Sequence, residues 1–260
     1  MALCQVPAAR KLWCSHADSQ SKAQILNKQF PSVFSSDDVH GDTVLEGPSI
    51  PPLPNLEISV RGVEKLLKEI DPTKAGGPDE VPCRMLKELS AELAPILTHI
   101  FRQSVSTGQL PEVWRRAYVS PIFKSGTVSA AENYRPVSLT CTPCQLLEHI
   151  FCSHIRSHLD RYGALSPANH GFRKKYSCET QLLLTVQDLL TRKNKTNTQV
   201  DIGVLDFAKA FDKVPHWRLM SKLRLYGIHG EAARWIQAFL VTGHSKSLWT
   251  ALLRKYIDTR

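Results

Sequence analysis

The chain has 260 residues, enough for one large domain or two small ones, and 42% of them are hydrophobic. Its 33 Lys and Arg outnumber 24 Asp and Glu, and the resulting net charge of +9 favours a polyanionic partner such as nucleic acid. The seven cysteines show no disulfide-like spacing, no apolar run reaches the roughly 18 residues of a membrane span, and no secretory pattern opens the chain. These features exclude a disulfide-stapled secreted protein, and they predict an intracellular chain, nuclear or cytoplasmic, with no membrane partner.

The first half of the chain is predicted to be mainly helical. Residues 1–56 form a lead-in, which holds one helix and then a Pro- and Gly-rich linker. Ser59 is placed to cap the next helix, which ends before Asp71 and the proline that follows it. A long helical stripe then runs from Met85 to Phe101, and we expect a bend at Pro95.

The second half contains the predicted strands. Two short strands joined by a polar loop form a hairpin-like unit, with Lys124 on one arm and Arg135 on the other. Beyond the hairpin, the apolar periodicity predicts helices at 145–159, 177–190, 215–226 and 231–240, and a buried strand at 201–207. Because long helical blocks separate rare strands, the predicted fold class is α+β and helix-rich, without a regular βαβ alternation.

Asp206 closes the apolar run DIGVLDF. Burying a carboxylate is costly unless a cation or hydrogen bonds compensate, so the alternatives are capping by backbone amides, a salt bridge or a metal ion. The sharp turn that is predicted between Asp206 and Phe211 exposes backbone amides near this carboxylate. A carboxylate with Mg²⁺ beside free amides suits a nucleoside triphosphate. From the pattern alone, the three alternatives stay open.

Five segments of the sequence, one of which contains Asp206, occur in a defined order and with defined spacing. They read KAGGPDEVPCRMLK, VSPIFKSG followed by NYRPVSLT, HGFRKKYSCETQLL, LDFAKAFDKVPH and YGIHGEAARWIQAFL. Together they cover about residues 57–240 and resemble the reverse transcriptases of non-LTR (LINE-type, jockey-like) retrotransposons, with LDFAKAFDKVPH in the place of motif A. The resemblance implies an RNA-directed DNA polymerase, a nucleotidyltransferase with the fingers and palm of a right-hand polymerase.

The resemblance implies roles for residues in motif A. Asp206 takes the place of the first metal-binding aspartate of the palm, a catalytic residue that holds Mg²⁺. Lys209 and Ala210 lie where backbone amides meet the triphosphate of the incoming dNTP. Phe211 matches the aromatic residue that excludes a ribose 2′-OH, and the alternative role for this ring is core packing.

The resemblance also implies roles for basic residues. Lys124 and Arg135 match residues of the fingers that clamp the triphosphate, a task suited to an ammonium and a guanidinium. Arg173, Lys174 and Lys175 are candidates for phosphate contact with the RNA template or the DNA primer. The alternative for all five residues is solvated surface charge.

Two other features are expected to be structural. Asp212 precedes a predicted helix, so a capping or turn role is favoured over a ligand role. Cys141, Cys144, His149 and His154 have a zinc-knuckle-like spacing, C-x2-C-x4-H-x4-H. No glycine is present for the tight knuckle turn, and the histidines fall on a predicted helix, so an ordinary helix is favoured over a zinc site.

The resemblance divides the chain into the lead-in and linker at 1–56, fingers at 57–200, a partial palm with motif A at 201–241 and a divergent tail at 242–260. We find neither motif B, a G-[VI]-PQGS-type stretch, nor motif C, the [FY]xDD hairpin that supplies further carboxylates. The expectation is a fragment of a reverse transcriptase that does not polymerise alone. The alternative is a non-enzymatic RNA- or DNA-binding remnant of a mobile element.

Overall fold

The computed structural model describes residues 18–33, 50–171, 173, 175–196, 199–210 and 212–242. In this part of the chain the helices are α1 (Ser19–Gln29), α2 (Val60–Lys68), α3 (Cys83–Glu88), α4 (Ser90–Thr107), α5 (Thr142–Arg161), α6 (Cys178–Thr196), α7 (His216–Leu225) and α8 (Gly230–Thr242), and the strands are β1 (Tyr118–Phe123) and β2 (Tyr134–Leu139). The predicted helix-rich fold with a small sheet is confirmed. Of the described helices, none is long and apolar enough to cross a lipid bilayer.

Helix α2 begins where the sequence predicts. The side-chain oxygen of Ser59 accepts a hydrogen bond from the backbone N–H of Gly62 at 3.1 Å, which satisfies one of the free amides of the first turn. Val63 and Leu67 lie one turn apart and are fully buried, and Ile70 follows them into the core. Capping and periodicity therefore agree on both the start and the buried face of this helix.

The long helical stripe is divided into two helices at Leu89. Helix α3 ends at Leu89, whose φ of −97° and ψ of 28° are not helical, and Pro95 lies inside the continuous helix α4. A proline removes only one helical hydrogen bond. The burial of Ala94 and Phe101 on either side keeps the chain helical through Pro95. The helix is continuous through Pro95, and the break in the stripe lies six residues earlier, at Leu89.

One hydrophobic core joins residues 58–165 to residues 219–240. Near its centre, the Trp235 ring stacks on Phe151 with centroids 4.3 Å apart, and its indole N–H donates to the Ser104 hydroxyl at 3.0 Å. Burial of a large aromatic ring with a satisfied polar atom stabilises such a site by several kcal/mol, on the order of 3–5 kcal/mol. Helices α4, α5 and α8 are therefore held around this ring.

The end of the predicted linker packs on the helical body. The Arg102 guanidinium donates from Nε and Nη2 to the carbonyl oxygen of Ile58 at 2.9 and 2.6 Å. His154 on α5 donates to the carbonyl oxygen of Pro54 at 2.8 Å. Residues 50–58 therefore form a strap across α4 and α5, and the strap supplies Ile58 to the core.

The prediction of a buried strand at 201–207 is wrong. The segment is not a strand, and Val204, Leu205 and Phe207 are 88%, 90% and 71% exposed. A strand needs a neighbour that takes up its backbone N–H and C=O groups, and the sheet formed by the described residues holds only β1 and β2. Among the described residues, the buried hydrophobic core has no member between Leu165 and Leu219, so this segment adds none of its apolar side chains to that core.

Candidate nucleotide site

The predicted hairpin is confirmed, and it places two basic residues on one face. Strands β1 and β2 are antiparallel, with Ile122 opposite Arg135. The backbone N–H of Lys124 donates to the carbonyl oxygen of Asn133 at 2.9 Å, which extends the pairing beyond the strands. Because side chains alternate along a strand, Lys124 falls on the same face as Ile122 and Arg135. Both basic side chains are exposed.

Hydrogen bonds hold the loop between the strands. The Tyr134 hydroxyl donates to the carbonyl oxygen of Val128 at 3.0 Å, and the Asn133 side-chain amide donates to that of Thr127 at 2.9 Å. The Tyr134 ring lies 5.5 Å from the ring of Phe123, its partner on β1. These contacts fix the end of the hairpin next to Lys124.

The residues after Asp206 form a closed turn. Lys209 has a φ of +52°, and its carbonyl oxygen accepts from the backbone N–H groups of Asp212 and Lys213 at 3.1 and 3.2 Å. A left-handed conformation costs a non-glycine residue on the order of 1–2 kcal/mol. Ala210 follows and is half-buried. The predicted sharp turn is thus present at Lys209 and Ala210.

Asp206 and Asp212 lie in different surroundings. Asp206 was expected at the end of a buried strand, but it is exposed and carries no burial cost. Asp212 is half-buried; burial raises the pKa of its carboxyl, and the nearby Lys209 ammonium offsets part of the rise. Helix α7 begins after Pro215 without a side-chain cap, so Asp212 contributes to the turn but does not cap the helix. Phe211 lies outside the described residues.

Arg173 holds its own loop together. Its guanidinium donates to the carbonyl oxygen of Ser166 at 3.0 Å and lies 4.5 Å from the centre of the Tyr176 ring. Lys175 is exposed with a φ of +68°, and Lys174 lies outside the described residues. The phosphate-binding role of these three residues stays a prediction, and the geometry gives Arg173 a structural task as well.

The same loop caps helix α6. The backbone N–H of Ser177 donates to the Thr180 hydroxyl at 2.9 Å, and the N–H of Thr180 donates to the Ser177 hydroxyl at 3.2 Å. The buried His170 ring hydrogen-bonds the Thr180 hydroxyl through Nδ1 at 2.9 Å. The segment HGFRKKYSCETQLL is therefore a helix-capping loop, which explains why serine and threonine stand three residues apart in it.

Two cavities of the described residues lie elsewhere. One, of about 400 Å³, is lined by residues 56–59 together with Arg102, Val105 and Glu231. The other, of about 810 Å³, is lined by residues between 170 and 185. Neither of these two cavities is lined by the hairpin cations or by the turn after Asp206.

The cysteine and histidine cluster has a structural explanation. Cys144 is fully buried and donates to Oε1 of Glu148 at 3.5 Å, whereas His149 is exposed. Burial raises the pKa of the Cys141 thiol to about 11 and that of Cys144 well above its usual value, so both remain thiols at neutral pH. In the described part of the chain, no three His, Cys, Asp or Glu residues are placed to hold a metal ion.

That finding also bears on magnesium. Mg²⁺ is commonly bound by one or two carboxylates, with substrate phosphates and waters completing its coordination. Asp206 offers one exposed carboxylate three residues before the turn at Lys209. The residues present fit one protein ligand of a nucleotide-bound Mg²⁺ ion, and they do not form a complete metal centre by themselves.

Comparison with known proteins identifies the class. The sequence model of the family "Reverse transcriptase (RNA-dependent DNA polymerase)" matches residues 122–258, just over half of the chain. The chain therefore belongs to the reverse transcriptase family. The match begins near the end of β1 and covers β2, the α6-capping loop and the turn after Asp206. It extends into residues 242–260, which the sequence division sets aside as a divergent tail.

The similar curated proteins are polymerases of mobile elements. The RNA-directed DNA polymerase from mobile element jockey of Drosophila melanogaster is 28% identical over 182 residues, 69% of this chain and 20% of that protein. Its counterpart in Drosophila funebris is 26% identical over 218 residues, 82% of this chain and 24% of that protein. The chain thus spans between a fifth and a quarter of these relatives. The prediction of a non-LTR, jockey-like reverse transcriptase is confirmed.

Proposed function

We propose that this chain is the nucleotide-binding part of an RNA-directed DNA polymerase of a non-LTR retrotransposon. In this proposal residues 57–200 are the fingers and residues 201–241 are a partial palm. The ligands are an RNA template, a DNA primer and a dNTP with Mg²⁺. The observation that supports the proposal best is the strained turn at Lys209, three residues after Asp206 and inside the segment that matches the family.

Each element has a defined task in this proposal. The Asp206 carboxylate binds the Mg²⁺ ion that accompanies the nucleotide, and the amides of the turn at Lys209 and Ala210 face its triphosphate. Lys124 and Arg135 share a hairpin face, from which an ammonium and a guanidinium contact the phosphate oxygens. When bound, Mg²⁺ neutralises phosphate charge and orients the triphosphate. The strained φ of Lys209 is consistent with a functional turn, since strain often accumulates at binding sites.

The nucleic-acid partners are proposed to contact the loop at 173–175. Lys175 is exposed there, while Arg173 shapes the loop through Ser166. Removal of Arg173 would therefore disturb the loop as well as a phosphate contact, whereas Lys175→Gln removes only a charge. The second variant is the informative one for nucleic-acid binding.

Calorimetric unfolding with and without Mg²⁺ plus a dNTP tests the proposal. A ligand at 100 times its dissociation constant stabilises the folded state by about 2.7 kcal/mol, which raises the unfolding temperature measurably. Asp206→Asn should abolish the rise. Asp201→Asn is the matched control, because Asp201 is an exposed aspartate in the same segment. An unfolding transition that ignores both ligands would contradict the proposal and favour a remnant that binds nucleic acid without a metal.

A further inference from the structure

Helix α7 and the turn before it carry a concentrated positive charge. Residues 209–224 contain five Lys or Arg and one Asp, a net charge of +4 in sixteen residues, against +9 for the whole chain. The cations are Lys209, Lys213, Arg218, Lys222 and Arg224. From Lys213 to Gly230 the sequence has no carboxylate at all. This run without Asp or Glu is visible in the sequence, although it is not itself one of the motifs that define the family.

The fold turns two of these cations outward together. Helix α7 buries Leu219, Met220 and Leu223 against the core. Arg218 and Lys222 lie one turn apart on the side away from that buried stripe, with Arg218 exposed and Lys222 half-buried. Four residues of helix rise about 6 Å, which is close to the distance between successive phosphates of one nucleic-acid strand.

An aromatic ring lies beside this pair. The Arg218 guanidinium is 5.1 Å from the centre of the half-exposed Trp217 ring. Basic side chains next to an aromatic ring are typical of surfaces that bind single-stranded nucleic acid, where phosphates meet the cations and bases meet the ring. We call Trp217, Arg218 and Lys222 the α7 face.

Two other helices that carry basic residues contain ion pairs along their length. On α2, Lys68 pairs with Glu64 at 2.5 Å, and on α3, Arg84 pairs with Glu88 at 2.7 Å. The sequence of helix α7 contains no Asp or Glu. The positive potential of the α7 face is therefore less screened by its own element than that of α2 or α3.

We propose that the α7 face binds the phosphate backbone of a single nucleic-acid strand, at a site separate from Asp206. Arg218 and Lys222 contact two successive phosphates, and Trp217 lies against the adjoining base. The contact uses phosphates and ring faces, so RNA and DNA strands of equal length bind alike. The proposal deepens the proposed function by naming where a polymerase fragment would hold its strand, and it requires neither Mg²⁺ nor a nucleotide.

The test measures binding of the intact chain to a fluorescent single-stranded RNA of mixed sequence, over a series of KCl concentrations without Mg²⁺ or dNTP. The double variant Arg218→Gln/Lys222→Gln should bind at least tenfold more weakly. The slope of log affinity against log salt should fall by about 1.4, since each single-strand phosphate contact contributes about 0.7. Arg218→Gln alone should give about half of that fall.

The matched control is Lys68→Gln/Arg84→Gln, which also removes one Lys and one Arg but takes them from ion pairs. It should change the affinity less than threefold. Equal losses in the two double variants would show a response to net charge only and would overturn the proposal. A calorimetric scan of both variants verifies that they fold like the parent chain.

Further binding experiments identify the partner of the α7 face. Single-stranded DNA of the same sequence should bind within about threefold of RNA, because the contacts involve phosphates and ring faces. Binding of phosphatidylserine vesicles that is as strong as RNA binding, and lost in the same variant, would instead assign the face to anionic surfaces in general. Asp206→Asn should keep full RNA affinity; if it loses the Mg²⁺ and dNTP response at the same time, the two sites are independent.

Discussion

The backbone N–H of Leu53 donates a 2.8 Å hydrogen bond to the carbonyl oxygen of Gly227. Gly227 ends α7 with a φ of +78°, and the strap at 50–58 passes so closely that a Cβ at this position would collide with the carbonyl oxygen of Pro51. The glycine therefore serves two needs at once, the left-handed end of a helix and the close approach of the strap.

Gly227→Ala should lower the free energy of unfolding by roughly 2–4 kcal/mol, because backbone strain and a collision with main-chain atoms add together. Gly163→Ala is the control: Gly163 has a φ of +57° but no neighbour within 4 Å of a Cβ. It should cost only about 1 kcal/mol, from strain alone. Chemical denaturation of both variants gives the comparison, and equal losses would mean that the strap does not press on Gly227.

Gly77→Ala tests the packing of the segment KAGGPDEVPCRMLK. A Cβ at residue 77 would lie 2.5 Å from the Cα atom of Cys141, at the start of α5. Since the obstacle is backbone, the loop would have to move, and we expect a loss of roughly 2–3 kcal/mol in the free energy of unfolding. Gly203→Ala, in open space, should change it by less than about 0.5 kcal/mol in the same denaturation assay. A Gly77→Ala variant as stable as its parent would contradict the close contact.

The sequence predicts correctly those helices and turns that are determined by residues close together in the chain. The Ser59 cap, the Pro215 and Gly227 that bracket α7, and the hairpin all depend on residues within a few positions of one another, and all are present. The burial of residues 201–207 depends on which distant residues supply neighbours, and hydrophobicity alone does not contain that information.

In the candidate site, too, some features follow from local sequence and others depend on distant residues. The turn at Lys209 and the shared hairpin face of Lys124 and Arg135 follow from short-range patterns. The exposure of Asp206 does not, because it reflects the absence of cover from elsewhere in the described residues. The use of Arg173 to hold Ser166 was also beyond the sequence, since a basic residue in a loop has the same pattern whether it binds phosphate or a carbonyl.

The stability of this protein should fall as the pH rises from 5 to 8 because of Glu148. Burial raises the pKa of this carboxyl from 4.5 to about 8, and the hydrogen bond from the Cys144 thiol opposes the rise only in part. The folded state therefore binds a proton that the unfolded state releases above pH 4.5. This contribution to stability is complete below that pH and is lost as the pH rises through 8.

The expected loss between pH 5 and 8 is roughly 3–4 kcal/mol, because a tenfold change in proton affinity corresponds to about 1.4 kcal/mol. Glu148→Gln should remove this dependence and leave the variant more stable than its parent at pH 8. Oε2 of Glu148 has no hydrogen-bond partner among the described residues, so a neutral amide replaces a poorly satisfied group. Denaturation curves at several pH values measure the free energy of unfolding of both proteins. If this free energy depends on pH in the same way in the parent and in Glu148→Gln, Glu148 is not the cause.

The exposure of the segment at 201–207 gives a direct comparison between two identical substitutions. Leu205 is 90% exposed, whereas Leu223 on α7 is completely buried. Leu205→Ala should change the free energy of unfolding by less than about 0.5 kcal/mol, and Leu223→Ala should lower it by roughly 2–5 kcal/mol through lost contacts and a cavity. Chemical denaturation measures both values. A loss of several kcal/mol in Leu205→Ala would show that the segment before Asp206 is packed in solution, and the carboxylate would then lie beside a covered strand.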